Sequence, residues 1–179
     1  MSVYVSESFL EKPEHEKCLQ GYRYEVVSDA VFREISDTQT PQGILAIVRM
    51  PKYDLPDLLQ GDRTHLLILE SVQDPGNLGT MVRTGEGAGI TGIIMNKTTV
   101  DLFNPKTIRS TMGSIYRVPY LITEHLPDLL DELHKENIRL YAAHLKGDTY
   151  YDAFDFTGAC GFLIGNEGNG LSDEIAECA

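Results

Sequence analysis

An open, mostly parallel α/β sheet with helices on both faces is predicted for residues 64–179, with a smaller α/β unit ahead of it over residues 1–50. Two features of the sequence lead there. From His65 onward, short unbroken apolar runs (HLLILES, GIIMN, RVPYLI, RLYAAHL, CGFLIG) alternate with stretches of helical character, and continuous apolar strands are what a parallel sheet buried on both faces requires. Before His65, PKYDLPDLLQGDR places two prolines and a glycine among charges. That composition interrupts the pattern of both neighbours, so residues 51–63 are read as a linker.

In the front unit, VYVSES, YEVV and GILAIVRM read as strands, residues 10–19 as a charged helix, and SDAVFREIS as a second helix. Ser28 is placed as its N-cap, because its hydroxyl can accept from the free amides of the first turn. In the larger unit, helices are expected over 80–87, 105–112 and 127–136, and from Leu171 onward. Asn104-Pro105 marks one start, since proline at the first helical position needs no N–H partner.

At 179 residues the chain has room for one catalytic domain of about 110–120 residues and a small companion. No run approaches the roughly 20 apolar residues that span a bilayer, and the opening MSVYVSESFLEKPEHEK lacks a basic-then-apolar signal pattern, so a cytoplasmic protein without membrane association is expected. Cys18, Cys160 and Cys178 are far apart and form no C-x-x-C pair, which argues against a disulfide framework or structural zinc. His65, His125, His134 and His144 show no ligand spacing, and His15 lies in a charged stretch. No metal is assigned.

The net charge of −12 opposes nucleic acid as a partner at face value, because phosphate contacts need clustered Lys and Arg. Its distribution qualifies that. Between Arg83 and Arg117 the basic residues Arg83, Lys97, Lys106, Arg109 and Arg117 face only Glu86 and Asp101. One basic face on an acidic body can hold RNA through few phosphate contacts, with a shallow salt dependence.

Ligands of open α/β sheets bind beyond the carboxyl ends of the strands, which singles out the loops after Ser71, Leu145 and Ile164. In ESVQDPGNLGTMVRTGEGAG, Pro75 and Gly76 suggest a turn, Gly79 a close backbone approach to a ligand, and the following helix an anion site at its amino end. Arg83, one turn past Gly79, offers a planar fork to a phosphate or developing oxyanion. A tight connection with a surface arginine is the plainer alternative. In FLIGNEGNGLSDEI, three glycines within six residues suit a backbone wrapping a flat ligand, with Asn166, Glu167 and Asn169 around it and Ser172 or Asp173 capping the last helix. A merely decorative turn competes there. In DLFNPKTIRSTMGSIYRVP, Lys106, Arg109, Ser110, Tyr116 and Arg117 form either an RNA contact or a solvated basic helix.

Taken in order, DPGNLGTMVRTGEGAG, NPKTIRSTMGSIYRVP and LIGNEGNGLSDEI resemble the successive signatures of the SpoU/TrmH family of the SPOUT superfamily, over about residues 66–179. The resemblance implies an α/β knot fold, S-adenosylmethionine bound in the knot, a homodimer sharing its active sites, and 2′-O-ribose methylation of structured RNA. The front unit resembles that family's small ribosomal-protein-like RNA-recruiting domain, which favours ribosomal RNA and leaves transfer RNA open. Carried over by motif, Asn77, Arg83 and Glu167 are the catalytic candidates. Leu145, Ile164, Gly165, Asn166 and Gly168 are the cofactor candidates, and Lys106, Arg109 and Arg117 the RNA candidates. Arg83 would stabilise the developing oxyanion, Asn77 would orient the same loop, and Glu167 would hold Arg83 or the hydroxyl. The family's third motif should follow the last helix, whereas this sequence stops at Cys178-Ala179. A C-terminally truncated domain with an incomplete knot and weak cofactor binding is the expectation.

Two rival readings remain. A phosphate-binding nucleotide enzyme would need G-x-x-x-x-G-K-[ST], or a G-x-G-x-x-G that opens a helix after the first strand of the larger unit, and neither is present. An RNA-binding module of the same fold without catalysis is the stronger rival.

Overall fold

Alternation in the first residues puts Val3 and Val5 on one side of strand β1 (Ser2–Ser6) and buries both. The computed structural model describes residues 1–179 and divides the chain into Met1–Lys52 and Tyr53–Ala179. In the first unit, β1 is followed by α1 (Glu7–Leu10), α2 (Pro13–Leu19), β2 (Glu25–Val27), α3 (Asp29–Ile35) and β3 (Ile44–Ile47). The central β1 pairs in parallel with β2 and antiparallel with β3. Val3, Val5, Phe9 and Leu19 form a small core. Ser28 caps α3 as expected, accepting from the Val31 N–H. The single helix expected over 10–19 is instead two. Pro13 holds Lys12 in an extended conformation and starts α2 afresh, as the ring of a proline disfavours helix in the residue before it.

The second unit opens with α4 (Leu55–Leu58), inside the segment expected to be a linker. Its Leu58 is fully buried and joins a core cluster with Leu66, Ile94 and Leu130. A Cβ on Gly92 would collide with it. The prolines that broke the periodicity therefore start a short helix, and Tyr53, Leu55 and Leu59 pack on the same core. The rest runs β4 (His65–Leu69), α5 (Pro75–Ala88), β5 (Gly92–Asn96), α6 (Pro105–Ser110), β6 (Tyr120–Thr123), α7 (Leu126–Lys135), β7 (Arg139–Ala142), β8 (Cys160–Ile164) and α8 (Asp173–Ala176).

All five strands of this unit are parallel, in the order β6-β5-β4-β8-β7. Alternate residues feed two cores. Leu66, Ile68, Ile94, Leu140 and Leu163 meet α4, α7 and α8 on one face. Leu67, Leu69, Ile93 and Met95 meet Leu78 and Val82 of α5 on the other. Leu126, Leu129, Leu130 and Leu133 make the buried stripe of α7, at the spacing of one helical face. The mixed α/β fold expected for the larger unit is what forms, and no helix is long and apolar enough to cross a membrane.

The order of the strands creates the feature that matters for function. The chain builds outward from β4 to β6, then crosses to the far edge and inserts β8 beside β4. Helix α5, after β4, packs on one face, while α8, after β8, packs on the other through Ile175. Loops from adjacent strands that leave in opposite directions open a crevice at the strands' carboxyl ends.

Leu58→Ala should lower unfolding free energy by about 2–5 kcal/mol, the cost of emptying a filled core site. Urea denaturation followed by tryptophan-independent far-UV dichroism measures it, and a change near zero would return the segment to the status of a linker.

Candidate functional site

Helix α5 begins at Pro75 and not at Thr80. Asp74 is its N-cap, accepting from the Asn77 N–H at 2.8 Å, and Pro75 supplies a first helical residue with no N–H to satisfy. The Pro-Gly pair expected to make a turn is thus the first turn of the helix. Gly79 has a different role from the one expected. Its Cβ would lie 2.7 Å from the Thr107 carbonyl oxygen, so the missing side chain lets α5 and α6 pack closely and does not admit a ligand.

The anion site expected at this helix start is filled by the protein itself. Glu167 Oε2 accepts from the Gln73 N–H at 3.0 Å, and Oε1 accepts from the Asp74 N–H at 3.0 Å and from Asn77 Nδ2 at 3.2 Å. Two catalytic candidates, Asn77 and Glu167, are therefore brought together from positions distant in sequence. The third is not. Arg83 is exposed on α5 and pairs with neither, so Glu167 holds the loop and not Arg83.

The loop after β8 is a closed ring. Asn166 N–H donates to the Gly170 carbonyl at 3.0 Å, and Gly170 N–H donates back at 2.8 Å. Asn166 Oδ1 accepts from the N–H groups of Gly168 and Asn169, and Asn166 Nδ2 donates to the Ser71 carbonyl at 2.9 Å. A Cβ on Gly165 would collide with the Gly170 backbone, while Gly168 has open space apart from Asn166 Oδ1 at 3.5 Å. Ile164 is half-buried, and Leu145 is 99 % exposed. Leu145 thus lines no enclosed pocket, because the chain around it leaves its whole side chain in solvent.

Several residues that hold the site carried no sequence signal beyond their position at strand ends. Ser71 has a left-handed backbone, φ 56°, which costs a non-glycine residue energy and persists only where its surroundings fix it. They do so here. Asn96 Oδ1 accepts from the Ser71 N–H at 2.9 Å, and the Ser71 and Thr98 hydroxyls meet at 2.6 Å. Gln73 Nε2 donates to the Thr98 carbonyl at 2.7 Å. Glu70 reaches the Ser172 N–H and hydroxyl, each at 2.7 Å, and Ser172 in turn caps α8.

The expected basic face is partly neutralised. Arg117 forms a two-pronged pair with Glu86, one prong at 2.8 Å, and that guanidinium holds the Glu86 carboxyl down at about 2. Arg117 is thus paired within the chain, while its side chain stays 57% exposed. Lys106 pairs with Asp74 at 3.3 Å, across the start of α5. Arg109 is exposed and takes part in no ion pair.

The Glu167 carboxyl is lowered from 4.5 to about 2, chiefly by the Gln73 N–H, with the N–H of Asp74 and the amide of Asn77 adding to it. The ionised form is the bonded one, so its contribution to stability is complete above the ordinary carboxylate value and is lost as pH falls towards 2. Glu167→Gln should therefore flatten the fall in stability between about pH 5 and pH 2, measured by denaturation at a series of pH values. An unchanged slope would mean that the carboxylate is free of these donors in solution.

The chain matches the SpoU rRNA Methylase family over residues 64–179, and RNA 2′-O ribose methyltransferase substrate binding over residues 2–54. It is 34% identical over 157 residues to the 23S rRNA (guanosine(2553)-2′-O)-methyltransferase RlmP of Bacillus subtilis, spanning 88% of this chain and 61% of that protein. Among solved structures, an rRNA methyltransferase from Sinorhizobium meliloti superposes with a TM-score of 0.83 at 29% identity, over 99% of this chain and 68% of that one. An AdoMet-bound rRNA methyltransferase from the same organism gives 0.78 at 28% identity, over 98% and 67%. With the family matched across the whole five-stranded sheet and its loops, the chain belongs to the SpoU rRNA Methylase family.

Proposed function

We propose that this chain carries the methyl-transfer site of an S-adenosylmethionine-dependent RNA 2′-O-ribose methyltransferase, acting on ribosomal RNA in preference to transfer RNA. The observation that carries the reading is the junction of the loops after β4 and β8, where Glu167 ties the cofactor candidates to the loop bearing Asn77. The relatives' names supply the preference for ribosomal RNA.

Transfer to a ribose hydroxyl needs the 2′-oxygen held in line with the donor methyl group and relieved of its proton. S-adenosylmethionine, when bound, supplies the activated methyl group. Of the residues that would hold it, Ile164 offers a half-buried apolar side chain and Gly168 room for close approach, while Leu145 stands in solvent. Gly165 and Asn166 keep the loop in its ring. Arg83 stays protonated, since a guanidinium pKa lies above about 12. Its part is to stabilise the oxyanion as it forms and to grip the adjacent phosphate, a charge-assisted contact strengthened where water is excluded. Asn77, oriented by Glu167, faces the same loop.

RNA would approach over Arg109 and Lys106, with the front unit of residues 1–50 as the recruiting domain. In that unit Lys12, His15 and Arg33, beside Glu11 and Asp29, line an open cleft of about 410 Å³. A homodimer that completes each site, a C-terminal segment that is knotted once the family's third motif is present, and a cytoplasmic location belong to the same reading. Arg83 has no partner within its own chain, which suits a site completed by RNA or a second copy.

Comparing ribose methylation across the RNA of cells with and without the gene tests the activity: loss of one 2′-O-methyl mark is expected. S-adenosylhomocysteine calorimetry separates the alternative, since RNA affinity without cofactor affinity would leave a binding module of the same fold. Arg83→Ala should slow methyl transfer about 10- to 100-fold by removing a charge-assisted bond in the transition state, and Lys should restore little of it. Wild-type turnover of the alanine variant would remove Arg83 from the site. Arg109→Glu should weaken RNA binding and reduce its salt slope by about one, with S-adenosylhomocysteine affinity unchanged. Equal RNA affinity across a salt series would place the RNA elsewhere.

A further inference from the structure

The loops after β4 and β8 are joined at three points. Glu167 and Asn166 make two of them, on the backbone of Gln73 and Asp74 and on the Ser71 carbonyl. The third runs the other way, from the β4 loop to the β8 loop: both oxygens of Glu70 accept from Ser172, one from its N–H and one from its hydroxyl, each at 2.7 Å. Glu70 follows β4 directly, and its own N–H donates to the Ile164 carbonyl at 2.9 Å. It is therefore anchored to β8 at the end of the strand while gripping Ser172 at the far end of the ring 165–170. Ser172 starts α8 by accepting from the Ile175 N–H at 3.3 Å.

These contacts fix both ends of one loop with one residue. The β8 end is held by the sheet, and the α8 end by a carboxylate that takes two donors at once. Without the second grip, Gly168, Asn169 and Gly170 hang between a strand and a short helix, with only their own ring to hold them.

We infer that Glu70 is a positioning residue for methyl-donor binding, acting through Ser172 to fix the glycine loop against the end of β4. This rests on the functional reading above. Glu70 touches neither methyl donor nor RNA on this account. It sets the conformation that the donor meets, so its loss falls on donor affinity and not on RNA affinity.

The test uses the full-length protein with Glu70→Gln, Ser172→Ala and the pair. Gln keeps the shape and one acceptor but offers an NH₂ where the carboxylate accepted. Glu70→Gln should weaken S-adenosylhomocysteine binding and raise KM for S-adenosylmethionine about tenfold, the equivalent of one charge-assisted hydrogen bond. RNA affinity should stay within about twofold, and the double variant should be no worse than the poorer single one. Amide hydrogen exchange of residues 166–172 should quicken in both single variants. Donor affinity at the wild-type level, or equal losses of donor and RNA affinity, would overturn the role of Glu70. Should Glu70→Gln fail to fold, Ser172→Ala gives the same two readings. If the wild-type protein binds no S-adenosylhomocysteine, the functional reading fails, and the exchange measurement still decides whether Glu70 fixes the loop.

Discussion

The carboxylate of Glu167 sits where the loop after β4 turns into α5, and most of the local geometry depends on it. A helix start leaves several N–H groups without partners, and here two backbone N–H groups just ahead of the helix receive a carboxylate from a loop distant in sequence. One interaction therefore satisfies the approach to α5, orients Asn77 and fastens the glycine ring to the centre of the sheet. The low carboxyl value of Glu167 has the same origin, because each donor favours the charged form.

This arrangement is available only because β8 lies beside β4. Their helices leave to opposite faces, so the two loops diverge and their polar groups must find partners across the gap. Asn166, Glu167 and Glu70 meet that demand in turn. Ser71 shows the cost, a left-handed backbone tolerated because its N–H, carbonyl and hydroxyl are all engaged.

Charge follows a similar economy. The chain carries 27 acidic and 15 basic residues, and the acidic excess reaches into the basic stretch. Glu86 takes Arg117, and Asp74 takes Lys106, so each pair ties neighbouring elements together and offsets one cation with one anion. Arg83 and Arg109 take part in no ion pair, so the unpaired cations of this stretch are few and separately placed.

From its order of residues alone, this protein settles its strands and its family. Unbroken apolar runs can be buried on both sides only in a covered parallel sheet, and the three ordered motifs identify the loops that matter. Local signals also set Ser28 and Asn104 as caps, because a cap is decided by a side chain and the turn beside it. Where those signals competed, sequence reading went astray. Pro75-Gly76 and the prolines of 51–63 fit a turn or a helix start equally well, and packing of Leu58 and Leu78 decided for helix. Gly79 and Gly165 looked like room for a ligand, but the space is taken by α6 and by the chain's own loop. The partners of Glu167, Glu70 and Arg117 were decided by tertiary structure alone. A carboxylate's partner depends on which loops the strand order brings within about 3 Å, and strand order is a property of the whole sheet that no local pattern encodes.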